Sequence, residues 1–211
     1  MYTTYHVQNL ENVRADIKKE RIKVKKEVIK NITVKVDNLF PNLIATKNLD
    51  LSKLKIVGKK FNKTFESEIK TTLKGNTLFD IKSMNYLNIH LTDLLSYLLK
   101  PICLNFVFKL NDIWINKYAK KDYQGSHIHP GDYSFIIYYK TDKSYTVFNS
   151  PVKSILEYGD NKIFYKDYQT KLKQGDIIMF PSYLEHWVRP NSNNITIAGN
   201  IKIIDMKGKN E

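Results

Sequence analysis

Of the five histidines in this 211-residue chain, three fall in two short stretches. His127 and His129 lie in SHIHPGDYSFIIYYK (126–140), and His186 lies in FPSYLEHWVRP (180–190). Two residues two apart on an extended strand project to the same side. His127 and His129 therefore face one way where a strand enters a turn. His186 is far down the chain, a separation that a β-barrel closes by bringing distant strands together. Neutral imidazole is the commonest metal ligand. Two close donors and one distant donor on neighbouring strands is how a facial non-heme iron site is assembled. The reading is a metal site, with Fe(II) as the ion.

The residues around the histidines form an ordered series. Trp114 and Asn116 come first (W-x-N), then His127–Pro130 (H-x-H-P), Tyr138 with Tyr139, and Asn149–Pro151 (N-x-P). Gly175–Asp176, Phe180–Ser182, His186 and Asn200 follow. Each fragment alone is weak, but their order and spacing together resemble the phage-type and bacterial branch of the Fe(II)/2-oxoglutarate-dependent oxygenases, relatives of the prolyl hydroxylases. The resemblance runs roughly from Leu110 to Ile204, with a fainter echo at Leu39–Pro41. It implies an α+β fold with a double-stranded β-helix (jelly-roll) core in the C-terminal half, at about 111–204, buttressed by N-terminal helices. It also implies Fe(II) and 2-oxoglutarate as cofactors. The activity implied is hydroxylation of a C–H bond coupled to decarboxylation of the co-substrate.

Carried over residue by residue, the resemblance makes His127 and His186 metal ligands. At the position of His129 most of the wider superfamily has Asp or Glu; His129 is the expected third ligand, with Asp132 in reserve. Tyr118 and Tyr139 match tyrosines that hydrogen-bond 2-oxoglutarate, and equally suit strand aromatics with a wet tip. Asn116 and Asn200 point inward if they share strand faces with Trp114 and Ala198, where they would orient co-substrate, substrate or a metal-bound water. One slot departs from the family. Where relatives place an Arg that clamps the far carboxylate of 2-oxoglutarate, this chain has Asn194. Lys202, two beyond Asn200 on the same face, and Arg189, three beyond His186, are the expected replacements.

Two other classes stay open on the sequence. A three-His, cupin-like dioxygenase without 2-oxoglutarate is favoured by the missing Arg. A non-enzymatic jelly-roll binding module is opposed by the intact motifs. The primary substrate (a protein side chain, an amino acid or a metabolite) is not written in the motifs, since fold does not fix function.

Composition bounds the rest. Apolar residues make up 42% of the chain and aromatics 12%, enough to fold rather than stay disordered. Cys103 is the single cysteine, so an internal disulfide is excluded and a reducing compartment is suited. No apolar run reaches the ~20 residues of a membrane span, and the first 20 residues lack the apolar core of a secretory signal. The expectation is a soluble, cytoplasmic protein, compatible with a virus-encoded one in a host cytoplasm. The net charge of +13 raises nucleic acid as a partner. Lysines scattered over a solvated surface account for it more simply.

Helical spacing and a candidate cap predict a helix over Asn9–Lys30, taken as an N-terminal extension (1–30) to a domain over 31–211. Alternation predicts strands at Asn31–Val36 and Leu43–Ala45. Phe61, Phe65 and Ile69 suggest a helix within Leu51–Lys74. Thr92 is expected to cap a helix ending at Leu99, with Pro101 opening a second short one or a kink. Short strands are expected at Ile113–Tyr118, Ser134–Lys140, Thr146–Asn149, Lys162–Tyr165, Ile177–Phe180, His186–Val188 and Ile195–Ile204, with turns at Thr141–Ser144 and Gly159–Asn161.

Overall fold

The structure is a computed structural model that describes residues 43–57, 62–64, 67–71, 79–150 and 167–208. All of these fall within one unit, Asn42–Glu211. The expected helix at Asn9–Lys30, the strands at Asn31–Val36 and Lys162–Tyr165, the echo at Leu39–Pro41 and the Gly159–Asn161 turn lie outside the described residues.

Two antiparallel sheets and one long helix make up the described chain. Strands β1 (Ala45–Asn48), β2 (Asn62–Thr64), β3 (Ser67–Thr71), β4 (Cys103–Lys117), β6 (Tyr133–Lys140), β9 (Asp176–Pro181) and β11 (Ile195–Gly208) form the larger sheet, in the order β1-β9-β6-β11-β4-β3-β2. The smaller sheet contains β5 (Asp122–His127), β10 (His186–Asn191), β7 (Thr146–Phe148) and β8 (Tyr168–Gln169), in the order β5-β10-β7-β8. From β4 to β11 the chain passes back and forth between the sheets, with β7 and β8 both in the smaller one, so two faces close over a shared interior, an arrangement consistent with a jelly-roll.

The helix α1 (Ile81–Leu99) starts at Asp80, whose carboxylate accepts from the Ser83 amide at 2.8 Å. Asp caps a helix well because it satisfies an amide that has no partner in the first turn. The start thus lies well before Thr92, the residue expected to cap it. Thr92 is interior to the helix, where its hydroxyl donates to the Asn88 carbonyl at 2.8 Å. Leu87, Leu91, Leu94, Leu95 and Leu98 fall on one stripe and are buried, as the 3.6-residue period requires. They pack on Ile115, Phe135, Ile137, Ile177, Met179 and Ile197 from the outer face of the larger sheet. Alternate residues of the same strands, Ile136, Tyr138, Ile178, Phe180 and Ala198, face the interior between the sheets. Among the described residues no helix is long and apolar enough to cross a membrane.

The described part of Leu51–Lys74 is not helical. A 3-10 turn at Leu51–Lys53 precedes β2 and β3, which pair as an antiparallel hairpin. A spacing of four is even, so it marks one face of a strand as readily as one face of a helix. After Pro101 the chain turns directly into β4 rather than into a second helix. Cys103 is buried there, whereas Val107 is exposed.

Leu91 is fully buried and Tyr97 is 75% exposed on the same helix. Leu91→Ala is expected to lower the unfolding free energy by about 2–5 kcal/mol, whereas Tyr97→Ala should stay within about 0.5 kcal/mol. Urea melts of the two variants check this.

Candidate metal centre and its cavity

The three histidines come together because two sheet registers place them. β10 pairs with β5 so that His186 sits directly opposite His127, and with β7 so that it sits opposite Phe148. His129 lies just past the end of β5. Its amide donates to the Ser182 carbonyl at 3.0 Å, which ties the H-x-H-P turn to the F-P-S turn before β10. The ring centroids are 4.4 Å apart for His127 and His186, 4.9 Å for His127 and His129, and 5.1 Å for His129 and His186. One donor atom from each lies within 4.8 Å of the other two.

Hydrogen bonds fix which nitrogen is offered. His127 Nδ1 faces the Gly125 carbonyl at 2.7 Å and His186 Nδ1 faces the Leu184 carbonyl at 2.9 Å. A carbonyl only accepts, so Nδ1 carries the proton in both rings and Nε2 keeps its lone pair. Metal-binding histidines are oriented this way, by a partner on the other ring nitrogen. For His127 that lone pair is met by the Gln124 side-chain amide, 3.2 Å from Nε2. The Gln124 carbonyl oxygen in turn accepts from the Tyr118 hydroxyl at 3.2 Å.

His186 is packed between Phe180 (4.9 Å) and Phe148 (5.6 Å), and its residue is 2% exposed. Burial, with the neighbouring His127 adding to it, pushes its pKa down to about 3. The ring is therefore neutral across the physiological range, the form that coordinates metal.

A buried polar cluster braces the H-x-H-P turn from behind. The Ser134 hydroxyl bonds to Ser182 Oγ (2.8 Å) and to Asn200 Oδ1 (2.9 Å). The Asp132 carboxylate accepts from the Ile203 amide (2.7 Å) and from Lys202 Nζ (3.0 Å). Gly131 has φ +127°, and a Cβ there would meet the Ile201 carbonyl at 2.9 Å, so glycine is needed for the turn to lie against β11. On the opposite side, the Asn149 side-chain amide donates to Ser126 Oγ (2.9 Å) and Glu185 Oε2 (2.8 Å).

The histidines line one narrow cavity between the sheets. Trp114, Asn116, Tyr118, Gln124, Tyr138, Lys143, Asn194 and Thr196 are also among the residues lining it. Trp114 stacks near His129 at 5.4 Å. Burial raises the pKa of the Tyr118 hydroxyl, against hydrogen bonds to Thr196 and Asn116 that lower it. Burial also raises that of Tyr138, which donates to Thr146 Oγ1 at 3.0 Å and accepts from Ser144 Oγ at 2.9 Å.

The other residues singled out in the sequence are placed elsewhere. Tyr139 packs into the helix-side core, and its neighbour Tyr138 faces the cavity instead, because successive residues of a strand alternate faces. Asn200 is buried in the Ser134–Ser182 cluster behind the turn. Asp132 and Lys202 are spent on each other outside the cavity. Arg189 is exposed and lies over the Trp187 ring at 5.6 Å. Gln124, Tyr138, Lys143 and Thr196 line the cavity without having been singled out. Thr196 was within reach of strand parity from Asn194 and Ala198. Lys143 depends on how a turn folds back, and no pattern in the chain marks that.

A family model described as "Putative 2OG-Fe(II) oxygenase" matches residues 112–200. The matched segment spans all three histidines and strands β5–β10 whole. No curated protein matches the chain. Among solved structures, a 2OG-Fe(II) oxygenase family oxidoreductase from Burkholderia pseudomallei is 13% identical, with a TM-score of 0.46, covering 64% of this chain and 68% of that one. A viral collagen prolyl hydroxylase from Paramecium Bursaria Chlorella virus-1 is 15% identical, with a TM-score of 0.44, covering 66% and 80%. A prolyl hydroxylase from Trichoplax adhaerens is 11% identical, with a TM-score of 0.48, covering 94% of each chain. At these scores the likenesses carry no weight beside the family match.

The depressed pKa of His186 sets a direction for stability in metal-free protein. Between pH 6.5 and about 3, the unfolded chain binds a proton on this ring and the folded chain does not, so folding weakens as pH falls through that window. The His186 contribution is fully present above pH 6.5. Chelator-treated wild type should lose stability with falling pH more steeply than His186→Gln, by up to about 1.4 kcal/mol per pH unit. Urea melts from pH 4 to pH 7 read the difference.

Proposed function

We propose that this chain is an Fe(II)- and 2-oxoglutarate-dependent dioxygenase that hydroxylates its substrate, with His127, His129 and His186 as the metal ligands. The observation that carries the ligand set is the convergence of three imidazole donors within 4.8 Å, inside the segment that matches the oxygenase family. The donor set fits the ion. Imidazole suits iron among the transition metals, and three ligands on one side leave positions open for exchangeable groups. Asp132, the reserve ligand, is already paired with Lys202 and the Ile203 amide. The strand orders support a double-stranded β-helix core built from β4–β11, with β1–β3 added at the edges of the larger sheet; residues 1–30 are proposed as an extension on sequence grounds.

Once bound, Fe(II) and 2-oxoglutarate supply the means of activating oxygen for attack on a C–H bond. This chain's residues do the holding. The Gly125 and Leu184 carbonyls keep two rings in the tautomer that offers Nε2. Phe148 and Phe180 keep His186 dry and fixed. Trp114, Ile136, Val188 and Ala198 give the cavity apolar walls. Tyr118 and Asn116 are the proposed hydrogen-bonding partners of the co-substrate. As it stands, the room for the centres of water molecules is about 20 Å³, about one or two waters. A five-carbon diacid therefore needs side chains to move. Gln124, whose amide occupies the His127 lone pair, would have to give way for His127 to hold a metal. The proposed primary substrate is a protein side chain, an amino acid or a metabolite.

A three-His dioxygenase that does without 2-oxoglutarate is the second reading, favoured by the uncharged Asn194 in the cavity. Anaerobic addition of 2-oxoglutarate to the Fe(II) protein separates the two. A weak visible charge-transfer band is expected, and its absence with iron bound would favour the second.

Isothermal titration with Fe(II) is expected to show one tight site per chain, a property of the single three-donor cluster. His127→Ala and His186→Ala should each weaken it 100-fold or more, whereas His90→Ala, on α1, should leave it unchanged. His129→Ala should cost far more affinity than Asp132→Ala. The reverse order would return the site to two histidines and a carboxylate.

A further inference from the structure

We propose that Lys143 is the cation that receives the far carboxylate of the 2-oxo diacid, in place of the charge that Asn194 lacks. The proposal rests on the oxygenase reading of the site. A diacid held at the metal through its oxo-acid end must put its second carboxylate elsewhere in the same cavity. Leaving that carboxylate unpaired away from water is heavily disfavoured, so the lining has to offer a cation. Lys143 is the one lysine or arginine among the described residues that line this cavity. Lys202 is held by Asp132, and Arg189 lies over Trp187.

Lys143 lines the same cavity as the three histidines. It sits in the turn between β6 and β7, where the Thr141 hydroxyl donates to its carbonyl. Its Nζ rides 5.3 Å above the centre of the Tyr145 ring. Tyr145 itself packs against Tyr118 and Val188, and its carbonyl is tied to β10 by the Arg189 amide at 3.0 Å. One ring thus separates the ammonium group from Tyr118. A cation resting on an exposed aromatic face is held only weakly, and a four-carbon stem lets it swing to a carboxylate. The flexible stem also explains why the position is absent from any strand pattern: the charge reaches the cavity from a turn, not from an inward-facing strand residue.

The test uses full-length Fe(II) protein under anaerobic conditions, titrated with 2-oxoglutarate and, separately, with pyruvate, a 2-oxo acid without the far carboxylate. The charge-transfer band and calorimetry give both dissociation constants. Lys143→Ala is expected to weaken 2-oxoglutarate at least tenfold while leaving pyruvate and Fe(II) within twofold of wild type. Lys143→Arg should restore most of the loss, and Lys202→Ala should behave as wild type. Unchanged 2-oxoglutarate binding in Lys143→Ala overturns the proposal, as does an equal loss of both 2-oxo acids. If the wild type binds pyruvate as tightly as 2-oxoglutarate, the metal site stands and the anchor falls. If it binds Fe(II) but neither 2-oxo acid, the oxygenase reading fails and takes this proposal with it.

Discussion

The pairing of β10 with β5 is the constraint on which the site depends. It sets His186 opposite His127 and fixes which face of β10 looks into the interior. Strand side chains alternate, so a slip of one residue would turn His186 outward and bring Trp187 in. Several features hold that register. Phe148 pairs with His186 from the other side, and Asn149 bridges Ser126 to Glu185. The Ser182 carbonyl takes the His129 amide. These contacts join the two motif turns, which lie far apart in the chain, into one rigid corner.

What could be read from the sequence follows from how locally each feature is determined. The H-x-H spacing and the distal histidine are short patterns with a chemical meaning, and the inner strands Ser134–Lys140 and Ile177–Phe180 carry continuous apolar runs. Both were legible. Tyr138 against Tyr139 was not, because two adjacent tyrosines suit both faces of a strand, and only the pairing with β9 and β11 decides between them. Asn200 has the right parity for the interior, yet its amide is used by Ser134 behind the turn. Lys202 was reached by counting along β11, but the Asp132 carboxylate lies beside it across the sheet. The start of α1 was hidden because its first residue, Ile81, is 79% exposed, and the cap lies one residue earlier, outside the apolar stripe.

The electrostatics of the cavity differ from those of a site with a carboxylate ligand. With the proposed ligand set, imidazole nitrogens would do nothing to offset the charge of a divalent ion, which would then be balanced by what binds next to it. A dianionic co-substrate suits that demand. His186, the buried member of the three, is kept neutral by that burial, which spares the cluster a like-charge repulsion that a medium of low dielectric would make strong.

The Gln124 amide on the His127 lone pair has a consequence for how the protein matures. Backbone carbonyls orient the His127 and His186 rings, and the Gln124 amide caps the His127 nitrogen that faces the cluster. Holding an ion on that nitrogen would mean exchanging one amide for it. A preassembled cluster of nitrogen donors follows the general order of affinities, in which copper, nickel and zinc outrank ferrous iron. Which ion the proposed three-imidazole site takes inside a cell would therefore be governed by supply at the moment of delivery, with mismetallation as its intrinsic hazard.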